Sequence, residues 1–198
     1  MNLRRTLLLT VLSTGMLIVG VATHLSAGAP DSAAAQSMQR KVQQIEANSQ
    51  HHLPSPATTV MSEEEVNAYL ASGNVKMPTG VNSVHLSGQS GVINATMNVD
   101  FNQITAKRKS SNPLLGIFSG THKVDATAHG SGSGGQGTVH IDTISLDGVE
   151  VPEMVLELFV DRYIKPKYPN LGIDNRFQLP DRIDSATVGN HQLTVVQK

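Results

Sequence analysis

The sequence predicts an α+β domain in which an antiparallel sheet of about six strands packs against one or two helices. Three observations predict it. Apolar and polar residues alternate over 92–101, as in a strand with one dry and one wet face. Turn-forming runs at 88–91, 130–137 and 189–190 separate β-rich segments. Two other segments, 62–73 and 152–165, carry helix start signals and apolar residues at helical spacing.

An export segment and a tether are expected ahead of that domain. Arg4 and Arg5 precede an apolar run over 7–22, followed by Ser26-Ala27-Gly28 and Ala33-Ala34-Ala35, both usable as cleavage sites. A charged start, an apolar middle and a small-residue end make residues 1–27 a secretory signal. The alternative is an uncleaved membrane anchor, because the run approaches the ~18–20 residues that span a bilayer. Either outcome places the folded part outside the cytoplasm, periplasmic or tethered on the extracytoplasmic side. Residues 28–60 read as a tether with one short helix, in which Met38, Val42 and Ile45 form a thin apolar stripe suited to loose docking. Pro54 and Pro56 end it.

A single domain is expected over 61–198. Ser62 caps its first helix, Glu65 completes a capping box, Val66, Tyr69 and Leu70 face inward, and Gly73 closes the element. Val84 and Leu86 then alternate with Ser83, His85 and Ser87. Over 92–101, Ile93, Ala95, Met97, Val99 and Phe101 point one way, and Asn94, Thr96, Asn98 and Asp100 the other. The basic run Lys107-Arg108-Lys109 follows, then the apolar Leu114-Leu115-Gly116-Ile117-Phe118. Strands are expected over 120–129 and 138–146, with all of 130–137 as their hairpin loop. A second helix starts at 149–152, with Pro152 at its first position, and sets Val155, Leu158, Phe159 and Arg162 on one side. Residues 183–188 and 191–196 form a closing hairpin.

Composition removes several function classes. Lys and Arg number 15 against 16 Asp and Glu, so no basic stripe is present to displace counterions from nucleic acid. With no Cys, disulfides, acylated cysteine and thiolate chemistry are excluded. With no Trp and 4% aromatic residues, stacking platforms for sugars are scarce. His51-His52 lacks a third ligand, while His122, His129, His140 and Asp142 match no zinc spacing and read as wet-face residues. No metal or cofactor is therefore expected. Ser131 and Ser133 lack a nucleophile elbow and read as linker serines, and 130–137 lacks the Gly-Lys-Ser/Thr ending of a phosphate loop. Asp142, Asp147 and Glu150 form the kind of carboxylate cluster that any domain of this size offers. No catalytic residue is assigned; the chain reads as a non-enzyme, with a hydrolase of unrecognised site as a third reading.

Three phrases carry a resemblance: SEEEVNAYL at 62–70, Gly148-Val149-Glu150-Val151-Pro152, and Leu179-Pro180-Asp181-Arg182-Ile183-Asp184. They echo exported bacterial proteins, and the last, a Leu-Pro followed by a strand pair, resembles the end of proteins similar to the tubular lipid-binding (TULIP) superfamily, a resemblance over residues 62–198. The resemblance implies a strongly curved sheet wrapped round a long helix, enclosing an apolar groove for acyl chains. The helix expected over 152–165 is shorter than the one in that group.

The expected function is a non-enzymatic envelope protein that binds lipid or another hydrophobic ligand between sheet and helix. Ile93, Met97, Val99 and Phe101 would form one wall, and Val155, Leu158 and Phe159 the other. Lys107, Arg108 and Lys109 are candidates for contact with anionic lipid head groups, at ~1 kcal/mol each. The N-terminal segment supplies a second route to a membrane. The alternative function is an interaction or scaffold module of an envelope complex, with a closed core and no ligand.

Overall fold

The structure, a computed structural model, describes residues 32–51, 56–106 and 110–198. The expected signal or anchor at 1–27 and the basic run Lys107, Arg108 and Lys109 lie outside the described residues. Among the described residues, no helix is long and apolar enough to cross a membrane.

The fold is α+β, as the alternation and the turns predict, but larger in both parts: the described residues form nine strands in one antiparallel sheet and four α-helices. Helix α1 (Ala33–Gln50) and strand β1 (Ala57–Ser62) are followed by α2 (Glu63–Ala71), β2 (Val81–Gln89), β3 (Val92–Asp100) and the short α3 (Phe101–Thr105). A 3-10 turn at Pro113–Ile117 leads to β4 (Thr121–Ser133), β5 (Gln136–Leu146) and β6 (Val149–Glu150). Helix α4 (Glu153–Phe159) widens into a π-helical turn at Val160–Ile164, and β7 (Asp174–Gln178), β8 (Ile183–Val188) and β9 (Gln192–Gln197) complete the sheet.

Strand β4 is the spine. Residues 121–129 of β4 pair with β3, and Ser131 and Gly132 farther along pair with β8, so β3 and β8 share one edge of β4 end to end. β5 takes the other edge and carries β6 and β7 on its far side. Beyond β8 lie β9 and β1, and beyond β3 lies β2.

Two hydrophobic cores form on this frame. The first gathers Met38, Val42 and Ile45 of α1 with Met61, Tyr69, Leu70, Ile183 and Val195. The segment read as a tether is thus packed: the α1 stripe is at most 3% exposed, and β1 pairs along the whole of β9. The stripe is thin because α1 meets its partners on one face only. Ser32 caps α1, accepting from Ala35 N–H at 3.2 Å, and Gln197, from the opposite end of the chain, donates to Ile45 O at 2.9 Å. The second core gathers Phe101, Phe118, Val124, Leu146, Val155, Leu156, Phe159 and Tyr163. It holds three of the chain's four phenylalanines, with centroids 4.1 Å apart for Phe118–Phe159 and 5.6 Å for the edge-on Phe101–Phe159.

The glycine-rich loop is much shorter than expected. Only Gly134 and Gly135 turn, with φ of +59° and +77°, the left-handed pair that a two-residue hairpin needs. The flanking glycines, with Ser131 and Ser133, extend the strands. Glycine at 137 supplies space, since a Cβ there would stand 2.4 Å from the Phe177 ring.

The second helix also differs. Val149–Glu150 pairs with Ser145 and Leu146 as β6, and Pro152 is the N-cap instead of the first helical residue. Val155, Leu156 and Phe159 are buried while Leu158 is half-buried and Arg162 exposed. The π turn then changes the helical register and carries Tyr163 and Ile164 inward. β3 stops at Asp100, which accepts from Asn102 N–H at 3.0 Å and so caps α3, placing Phe101 in the helix.

Candidate functional site

The second core does not close completely. An apolar cavity of about 100 Å³ lies where β3, β4 and β5 face α4, the π turn and the segment 171–173. Met97, Val99 and Phe101 contribute from the β3–α3 side, Ile141 and Ile144 from β5, Leu156 and Phe159 from α4. A one-residue irregularity on β5 keeps both isoleucines on the cavity side: Ala128 pairs with Ile141 and Thr127 with Thr143, which leaves Asp142 as the extra, exposed residue.

Four of the seven residues expected to wall a groove meet at this cavity: Met97, Val99, Phe101 and Phe159. Val155 is buried in the same core and Leu158 packs half-buried against it, both away from the cavity wall. Ile93 lies elsewhere, lining a crevice of about 50 Å³ with Val66, Leu86, Val188 and Leu193. The sheet runs past both cores, so one strand's dry face serves two interiors. Leu171 and Ile173 were not foreseen, since they sit in an aperiodic loop. Phe118 carried a signal in the apolar run after the basic loop.

Beside the cavity a polar cleft of about 410 Å³ is lined by Glu157, Asp161, Lys165, Asn170 and Asp174, and shares Val160, Leu171, Gly172 and Ile173 with it. Lys165 pairs with Asp161 at 2.5 Å, one helical turn apart. An apolar chamber thus adjoins a wet, mostly acidic surface.

Histidine–carboxylate pairs mark the exposed face of β4, β5 and β7. His122 Nδ1 lies 2.6 Å from Asp147, His129 Nδ1 2.7 Å from Asp142, and His140 Nδ1 2.7 Å from Asp174. The Asp147 hydrogen bond, helped by the Ser119 carbonyl, raises the His122 pKa above its usual value. Among the described residues, no group of three or more His, Asp or Glu is placed to hold a metal ion. No nucleophile, base and orienting group converge at the cavity, whose lining is apolar apart from Gly172.

The fold and the cavity define an α+β protein with one small apolar chamber in an aromatic core. No family model, curated protein or solved structure matches the chain.

Proposed function

We propose that the chain is a non-enzymatic extracytoplasmic protein that holds a small apolar group, such as the end of an acyl chain, in the second core. One observation carries this reading: the cavity beside Phe101, Phe118 and Phe159 is lined by apolar side chains and adjoins a cleft lined by charged and polar ones. Its volume, about 100 Å³, is below the ~150 Å³ of an engineered chamber that admits benzene. A whole lipid, as the tubular lipid-binding resemblance implies, does not fit in that volume. The rest of such a molecule would lie in the polar cleft or in a membrane. The charged, apolar and small-residue order of residues 1–27 supports the location outside the cytoplasm. Leu114 and Ile117, each 45% exposed, follow Lys107-Arg108-Lys109 in sequence, which supports a membrane nearby.

The small volume also favours a second reading, an interaction module with an empty core, since ordinary ligand pockets exceed ~300 Å³. Solvent extraction of detergent-free protein followed by mass spectrometry separates the two. A stoichiometric apolar molecule, lost on the cavity-filling change Ile144→Phe with the fold retained by circular dichroism, is the expected result. An empty protein whose Ile144→Phe variant binds an envelope partner as the native chain does would establish the second reading.

A further inference from the structure

We infer that residues 171–175 form a strap across the cavity mouth that tightens in acid and loosens toward neutral and alkaline pH, thereby regulating exchange of the cavity's occupant. The inference rests on the cavity reading proposed above. Leu171, Gly172 and Ile173 are half-buried and separate the apolar chamber from the polar cleft, touching both. With Val160, they stand on the direct route between the two.

Three fastenings hold the strap. Ile141 N–H donates to Ile173 O at 3.0 Å. Asn175, only 3% exposed, accepts from Gly172 N–H at 2.9 Å and donates back to Gly172 O at 2.8 Å, so its buried amide serves the strap's own backbone. Neither of these titrates. The third joins His140 Nδ1 to Asp174 Oδ1 at 2.7 Å, across a directly paired position of β5 and β7.

The charges around His140 set the direction. Asp174 faces it from β7, Asp142 stands 3.9 Å from its Nε2 on β5, and Glu153 reaches it electrostatically from the first turn of α4. His129 on β4 competes for Asp142, and Arg176 adds a fixed positive charge two residues along β7 from Asp174. The Asp174 hydrogen bond, opposed in part by desolvation and supported by the three carboxylates, raises the His140 pKa above its usual value. Below that raised pKa the fastening is an ion pair; as pH rises through it, only a hydrogen bond from the neutral imidazole to the Asp174 carboxylate remains. The pair sits at the surface, so the effect on exchange is modest.

Dissolved xenon is a suitable probe because it is uncharged, small and does not titrate. Exchange of xenon between solution and protein is measured by ¹²⁹Xe NMR from pH 5 to pH 8, with the His140 ring titrated in the same samples. Exchange is expected to be about two- to fivefold faster at pH 8, the range for an exposed ion pair, with a midpoint that follows His140. His140→Gln is expected to bind xenon with no pH dependence. Flat exchange in the native chain, or pH dependence retained in His140→Gln, overturns the strap and leaves the cavity standing. Absence of bound xenon at every pH overturns the cavity reading and the strap together.

Discussion

The two cores share a sheet and differ in how they are sealed. The first is mainly aliphatic and is locked at its margins by polar groups with little exposure. The Ser62–Glu65 capping box starts α2, and the same Glu65 carboxylate takes Lys41 Nζ at 2.6 Å and Ser37 Oγ at 2.6 Å from α1. Gln197 bonds both Ile45 O and Asp181 O, and Asn67 clasps Leu86 on the edge of β2 through N–H and C=O alike. The second core carries its polar lock at one margin, where the buried Asn175 amide holds Gly172. Its flat rings meet at angles from 34° to 81° and leave a chamber between them and the β5 isoleucines. The crevice beside the first core, at Val66 and Leu86, is about 50 Å³, half the volume of the chamber beside the rings.

The largest effect is expected where the rings converge. Phe159→Ala should cost about 3–5 kcal/mol in urea denaturation, because Phe159 touches Phe101, Phe118 and Tyr163 at once. A loss below 1 kcal/mol would mean that the aromatic core is not a cooperative part of the fold.

Glu65→Gln comes next and probes the other core's lock. Burial alone would raise the Glu65 pKa, but the Lys41 ammonium, the Ser37 hydroxyl and the Ser62 N–H outweigh it and hold it at about 2. A depressed carboxylate pKa contributes stability above the ordinary 4.5, and that contribution is lost as pH falls from there through about 2. The substitution should therefore cost about 2–3 kcal/mol at pH 7 and flatten the acid limb of a stability-versus-pH curve. A variant with the native acid limb would refute this role.

Gly137→Ala should cost about 1–3 kcal/mol, as the new methyl forces the Phe177 ring aside; an unchanged melting temperature would show that the ring yields freely. Ile144→Phe gives the smallest change. In a chamber with room for a ring edge it should shift stability by under ~1.5 kcal/mol, whereas a loss of 2–3 kcal/mol would mean there is no such room.

Much of this frame was legible because it is written in local signals. The β3 alternation, the Ser62–Glu65 cap and the turns at 88–91 and 189–190 each need only neighbouring residues. What escaped depends on distant partners. Met38, Val42 and Ile45 read as a loose stripe until Tyr69 and Val195 are brought to them. β7 was invisible because its buried residue is Asn175, so the alternation that reveals a strand is absent. The cavity was half legible: Met97, Val99, Phe101 and Phe159 follow from periodicity, whereas Leu171 and Ile173 depend on how an irregular loop is tied down.

The pairing of β1 with β9 bears on the order in which this molecule can fold. The β2–β3–β4–β5 hairpins close between near neighbours and can assemble while the remainder of the chain is still being made. Helix α1 can meet α2 early, through Ser37 and Lys41 on Glu65, but the Gln197 bond to Ile45 spans 152 residues and the strand beside β1 is β9. The sheet-facing side of α1 is thus among the last parts of the described fold to be secured. Until β9 arrives, the apolar stripe of α1 stays uncovered by its sheet partners, and the slow, non-local step of folding falls at the end.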